Sequence, residues 1–215
     1  MKKILYIAIA LCCFIFTACQ TNKTNDINNE NQTDSMKVIP QTDANVIVLV
    51  AHPDLSKSTA NAALAKAASE VDGVQVVNIA DFPVTPETYK EIVNRAQTIV
   101  FQFPIYWMSA PYIMKQWTDI VFMAFAGEEN IVKDKHFMVC CTTGSPEDAY
   151  QHGARNKYTI EEYLRPYEGQ ANHAQMTWEK PLTVFGQIPN GGNVELEKGC
   201  QEYKSRLQSY VAAAK

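Results

Sequence analysis

The sequence predicts an α/β domain, a parallel sheet buried on both faces with helices packed on each side. Three observations predict it. Short, almost continuous β-branched runs recur, beginning with residues 46–50 (VIVLV), as expected of strands covered on both faces. Helix-period segments alternate with these runs, the arrangement that returns each strand parallel to the last. Polar or proline-bounded loops follow the first, third and fourth strands, and sheets of this kind bind ligands beyond their strand carboxyl ends.

The elements follow in order. After the strand at 46–50, residues 59–71 carry alanines and Leu64 at helical spacing, and Gly73 ends them. Residues 74–79 read as the second strand. Residues 86–96 fit a helix with Pro86 in its first turn, where a missing N–H costs nothing. Residues 98–103 form the third strand, 111–125 a strongly apolar helix and 135–141 the fourth strand. Residues 159–175 read as a helix that Pro166 and Gly169 could interrupt. Residues 183–185 are a short fifth strand, and 195–214 a final amphipathic helix.

Before this domain the pattern changes. Lys2 and Lys3 precede an apolar run over 4–16, too short to span a bilayer comfortably and typical of a secretory signal. It ends in Phe16-Thr17-Ala18-Cys19, which resembles a bacterial lipobox. That resemblance implies cleavage before Cys19, lipidation of its thiol and a lipid-anchored protein at the periplasmic or extracellular face of the cell envelope. Residues 20–44 are rich in Asn, Thr, Asp and Gln and are expected to form a disordered tether, having little apolar surface to offset ordering entropy. The expected organisation is a signal at 1–19, a tether at 20–44 and one folded domain at 45–215.

The 215 residues carry a formal charge of −4 with no basic block, which excludes a nucleic-acid footprint. The cysteines do not read as a disulfide framework. Cys140 and Cys141 are adjacent on a strand, point to opposite faces and read as small buried hydrophobes. No His/Cys/Asp spacing suggests a metal site.

The three loops carry the candidate chemistry. The first, residues 51–59, holds His52, Ser56, Lys57 and Ser58 at a helix start. These groups suit an oxyanion, though a decorated N-cap explains them as well. The second holds Tyr106, Trp107 and Met108 between Pro104 and Pro111. It is either a flat shelf for a planar ligand or aromatic core beneath a loop. The third runs Thr142-Thr143-Gly144-Ser145-Pro146, with Tyr150 and His152 beyond, and is either an amide turn beside proton donors or a plain surface turn. Together they occupy the positions the sheet geometry reserves for a site, and a phosphate cradle, a flat shelf and an amide turn suit a flavin.

The segments AHPDLSKS, FQFPIYWMSAPYIMKQWTDIVF, TTGSPEDAY and YTIEEYLRPYEGQAN resemble the flavodoxin-like NAD(P)H:quinone oxidoreductases, especially compact bacterial members such as the ancillary proteins of glutathione-gated potassium efflux systems. The resemblance covers residues 45–186. It implies a flavodoxin-like three-layer sandwich with five parallel strands in the order 2-1-3-4-5. It implies non-covalent FMN or FAD, a homodimer, and two-step hydride transfer from NAD(P)H to a quinone-like acceptor. By position, His52 and Ser58 would contact the flavin phosphate. Pro104, Ile105, Tyr106 and Trp107 would line the isoalloxazine, Thr143 and Gly144 would bond its pyrimidine side, and Tyr150 would sit near the ring's polar edge, with His152 as a further catalytic candidate. A second expectation is a flavoprotein without its own catalysis, acting as a regulatory or electron-carrier subunit. An exported protein does not meet cytoplasmic NAD(P)H, so a membrane quinol or another redox protein is expected to supply its electrons.

Overall fold

Val46–Val50 (β1) is buried at every position, because its alternating side chains enter two different cores. Ile47 and Leu49 join one cluster with Ile99, Phe101, Phe137 and Val139. Val46, Val48 and Val50 join the other with Val100, Met138 and Cys140. The computed structural model describes residues 37–187 and 194–214, so the proposed signal and Cys19 lie outside the described residues. Among these residues no helix is long and apolar enough to cross a membrane.

Around β1 stand Val74–Asn78 (β2), Thr98–Pro104 (β3) and His136–Thr142 (β4), all parallel, with β1 between β2 and β3. Thr59–Ser69 (α1) and Val194–Ala213 (α6) cover one face. Pro86–Arg95 (α2), Tyr112–Trp117 (α3), Met123–Phe125 (α4) and Ile160–His173 (α5) cover the other. This is the expected three-layer sandwich, and the sheet order is β2-β1-β3-β4-β5. The α2/α5 side is aromatic. Trp117 has no exposed surface and meets Tyr89 and Phe101 edge-on at 5.5 and 5.4 Å.

The structure departs from the sequence reading in four places. The edge strand comes in two pieces. Thr177–Trp178 (β5) pairs with the start of β4 and Leu182–Val184 (β6) with its end, so a sixth strand joins the five expected. The helix α5 is not interrupted, because Pro166 lies on its exposed face, where the carbonyl it leaves unpaired can meet water. The apolar helix after β3 widens into a π-helical turn at Thr118–Phe122 before α4.

The fourth departure is at the domain's start. Residues 37–44, expected within the tether, lie on the domain as an extended strap. Ile39 is 1% exposed inside the α2-side core. Gln75 Nε2 donates to the Pro40 carbonyl at 2.6 Å, and Arg95 Nε donates to the Ala44 carbonyl at 3.0 Å. Lys37 pairs with Asp81 at 3.8 Å and sits over the Phe82 ring. One apolar anchor and these long-range side-chain bonds hold a segment whose composition alone is polar.

Cys140 and Cys141 are fully buried free thiols, one in each core, as their adjacency on a strand requires.

Candidate functional site

The carboxyl ends of β1, β3 and β4 lie side by side, and the loops beyond them are hydrogen-bonded to the sheet and to one another. Ala51 N–H donates to the Gln102 carbonyl at 2.8 Å and Ile105 N–H to the Thr142 carbonyl at 2.8 Å. Thr143 N–H donates to the Val184 carbonyl at 3.1 Å. The site is therefore mounted on the sheet, and loop geometry is set by strand register.

In the first loop His52 is 8% exposed. Its Nδ1 accepts the Asp54 N–H at 3.2 Å, so the neutral ring carries its proton on Nε2. Nε2–H then donates to the Tyr106 hydroxyl oxygen at 2.9 Å. Burial pushes the His52 pKa down, which keeps the ring neutral. The result is a relay from backbone amide to imidazole to phenol that leaves the Tyr106 proton free to donate outward. Ser58 caps α1 by accepting the Asn61 N–H at 3.2 Å. Its hydroxyl proton remains available, so the cap and the anion-donor readings coexist in one side chain. Lys57 is held by Asp54 at 2.8 Å, and Ser56 donates to the same carboxylate at 2.6 Å. These bonds hold the Asp54 carboxyl down at about 2. With Lys57 so paired and His52 neutral, the loop offers an oxyanion dipoles rather than a free cation.

The second loop is a tight two-residue turn. Tyr106 N–H donates to the Ser109 carbonyl at 2.7 Å and Ser109 N–H returns to the Tyr106 carbonyl at 3.1 Å. Both central residues lie in the left-handed region, Trp107 at φ 45° and Met108 at φ 66°. This is a type I′ geometry, which favours Asn and Gly. Two bulky residues there store strain. Tyr106, Trp107 and Met108 are 45%, 96% and 42% exposed, which excludes the core-packing explanation for this cluster. Trp107 and Met108 N–H donate to no acceptor among the described residues. Tyr167 is buried and packs on Phe103 in the core, and burial raises its phenol to about 12.

The third loop spends Thr143 on itself. Its N–H goes to Val184, and its hydroxyl donates to the Ser145 carbonyl at 2.8 Å. The N–H groups of Gly144 and Ser145 donate to no acceptor among the described residues and are the donors this loop offers. Tyr150 is 7% exposed and edge-on to Tyr163, and burial raises its pKa. His152 is not gathered with these groups. It pairs with Glu162 at 3.1 Å, the acid whose carboxylate also accepts the Thr159 N–H in the capping box of α5.

A buried polar cluster lies beneath the loops. Gln102 Nε2 donates to the Asn61 carbonyl at 2.8 Å, and Asn61 Nδ2 to the Thr142 hydroxyl at 3.0 Å. The side-chain carbonyl oxygens of Asn61 and Gln102 are buried without donors. The sequence reading missed this cluster. Its signal was Gln102, a lone amide inside the apolar run TIVFQFP. Beside the first loop, a cleft of about 480 Å³ is lined by Pro53, Asp54, Ser56, Asn78 and Asp81. A second cleft, of about 400 Å³, lies off the switch point along β6 and is ringed by charged side chains.

The free groups at the strand ends are donors: backbone amides at 107, 108, 144 and 145, with the hydroxyls of Ser58 and Tyr106. That set fits a flat group with acceptors along one edge and a phosphate at one end, as a flavin mononucleotide has.

A doubly wound sheet in this order, with donors at the strand ends beside its switch point, defines a ligand-site α/β protein of the flavodoxin class. The chain belongs to the flavodoxin-like fold family, whose pattern matches residues 44–210. Its relatives include general stress protein 14 of Bacillus subtilis, 32% identical over 148 residues, covering 66% of this chain and 85% of that protein. The glutathione-regulated potassium-efflux system ancillary protein KefG of an Enterobacter species is 35% identical over 150 residues, covering 66% and 81%. An NADPH-quinone reductase structure from P. pentosaceus is 28% identical, with TM-score 0.66 and coverage of 75% and 96%. A structure described as a tryptophan halogenase from Streptomycin violaceusniger is 32% identical, with TM-score 0.69 and coverage of 74% and 96%. Names so different on one fold show that the fold does not set the reaction. A general stress protein 14 from Treponema denticola, solved with FMN, shares the fold at 22% identity, TM-score 0.66 and coverage of 77% and 98%.

Proposed function

We propose that this protein is a flavin-dependent oxidoreductase of the quinone-reductase type that holds FMN at the switch point. The observation that carries the reading is the strained, outward-facing Tyr106–Ser109 turn. It presents two consecutive free amides and an exposed indole where the sheet geometry reserves a site. Bound flavin would supply two-electron chemistry: a hydride accepted from a reduced nicotinamide, then two electrons and a proton passed on, with a second proton from solvent, turning a quinone into a hydroquinone.

This chain's own residues bind and orient. Ser58 and the start of α1 would receive the phosphate, while His52, with both ring nitrogens engaged, orients Tyr106 rather than the phosphate. The amides of Trp107 and Met108 would meet the acceptor edge, with Pro104 and Ile105 beneath the ring. Gly144, and Ser145 beside it, would donate to the pyrimidine side, where negative charge collects on reduction. Tyr106, oriented by His52, and Tyr150 would place phenolic protons at the ring's polar rim. We further propose a homodimer, favoured by Tyr112, Ile120 and Met123, which are 72%, 42% and 69% exposed along the helices after the turn. We also propose lipid anchoring at Cys19 in the cell envelope.

The test is to purify the protein and titrate it anaerobically. A yellow protein bleached by NADPH or NADH and reoxidised by a soluble quinone is the expected result. A colourless protein that binds no added FMN overturns the reading. The likeness to KefG favours a second reading, a flavoprotein subunit of a membrane system. Bound flavin that neither nucleotide reduces would select it.

A further inference from the structure

Asn61, Gln102 and Thr142 are 1%, 0% and 4% exposed and come from three elements, α1, β3 and β4. Burying them is unfavourable, because the side-chain oxygens of Asn61 and Gln102 find no donor. Turning the Gln102 amide round gives no relief, since it would set an oxygen against the Asn61 carbonyl. Apolar side chains of the same shape would fill this space without that penalty.

What the cluster provides is connection, for each loop of the site hangs from one of its members. At the start of the first loop, Ala51 N–H donates to the Gln102 carbonyl at 2.8 Å. At its end, Ser58 accepts the Asn61 N–H at 3.2 Å. The second loop begins where Ile105 N–H donates to the Thr142 carbonyl at 2.8 Å, and Thr142 leads directly into the third. Two side-chain bonds then join the members, Gln102 Nε2 to the Asn61 carbonyl at 2.8 Å and Asn61 Nδ2 to the Thr142 hydroxyl at 3.0 Å. Strand register already fixes β3 against β4, with Pro104 opposite Thr142. No ladder fixes a helix along a sheet, and the apolar packing of α1 through Leu64 and Ala68 has no direction. These two bonds do have one.

We propose that Asn61, Gln102 and Thr142 are positioning residues that set the span between the phosphate end of the site, on α1, and its ring end, beyond β3 and β4. The inference rests on the proposed flavin reading and names residues that act through the loops. A flavin mononucleotide joins ring and phosphate by a flexible chain. Its second contact therefore gains from the first only when the two subsites stand at a matching distance.

The test uses the full chain freed of flavin and titrated with FMN and with riboflavin, which has the ring and the chain but no phosphate. Gln102→Met and Thr142→Val keep the shape of each side chain and remove its bond to Asn61. In each, FMN affinity is expected to fall at least about tenfold while riboflavin affinity stays within about twofold. Both residues act on one helix, so the double variant should lose no more than the worse single. Thermal unfolding of the flavin-free protein separates this from plain destabilisation. Gln102→Met deletes an unpaired oxygen, so its Tm should hold or rise. Unchanged FMN affinity, equal losses for both ligands, additive losses in the double variant, or a Gln102→Met Tm that falls in step with FMN affinity each overturn the inference. An intact chain that binds FMN no tighter than riboflavin overturns it too, there being no span to hold. An intact chain that binds neither overturns the flavin reading itself, and that result is read before any variant is made.

Discussion

Trp107→Asn separates what the Tyr106–Ser109 turn costs the fold from what it gives the site. Trp107 sits at φ 45° with 96% of its surface in water, so its side chain adds almost no burial to stability. An ordinary L-residue in the left-handed region gives up about 1–2 kcal/mol, and Asn recovers a large part because its side chain bonds locally there. The variant is therefore expected to be more stable by roughly 1 kcal/mol. For a domain of this size that raises Tm by about 2–4 °C. Flavin affinity should move the other way. Losing one stacking aromatic costs about 1–3 kcal/mol, or roughly 5- to 150-fold in Kd. Trp107→Phe keeps both the flat face and the strain and is the control. Thermal unfolding of the flavin-free protein and titration with FMN read the two effects independently. A Tm that is unchanged or lower in Trp107→Asn would refute the strain argument. An unchanged FMN affinity would remove Trp107 from the shelf.

Three further outcomes follow from the geometry. His52 has a folded pKa below its ordinary value of 6.5, so the unfolded chain binds more protons as pH falls through that value. Its contribution to stability is present above 6.5 and is lost below, toward the depressed folded pKa; urea unfolding across pH 5–8 should show this slope shrinking in His52→Gln. Asp54→Asn releases Lys57 from its 2.8 Å partner; FMN should bind roughly 2- to 5-fold tighter, the worth of one exposed charge, with a steeper salt dependence by titration. Gly199→Ala would set a Cβ 2.5 Å from Val184 Cγ2, so α6 should be pushed off β6 at a cost of about 1–3 kcal/mol, with partial recovery in Gly199→Ala/Val184→Ala by denaturant titration.

What could be read before the structure follows the range of the forces involved. Residues 46–50 and 98–103 announce buried strands because every position must satisfy a core, and that constraint is local in sequence. The strap could not be read, since Ile39 is one of only a few apolar residues in a polar tract and the side chains that hold Pro40 and Ala44, Gln75 and Arg95, lie far along the chain. The piece at Thr177–Trp178 is too short to carry a period. Local chemistry alone favoured the core for Tyr106 and Trp107; their place after the third strand pointed to the site, and their exposure excludes the core. The sequence reading missed the capping box spelled by Thr159-Ile-Glu-Glu162, and with it the acid that the His152 imidazole rests on.

The broken edge of the sheet has a consequence for how copies of this domain can meet. Between Thr177–Trp178 and Leu182–Val184 the chain leaves the ladder, with Lys180 and Pro181 at the break. A continuous rim there would be a template on which a neighbour could lay down a strand. Two short rungs separated by a cation and a residue without an N–H offer too little ladder for sheets to join, so the domain can be crowded without fusing edge to edge.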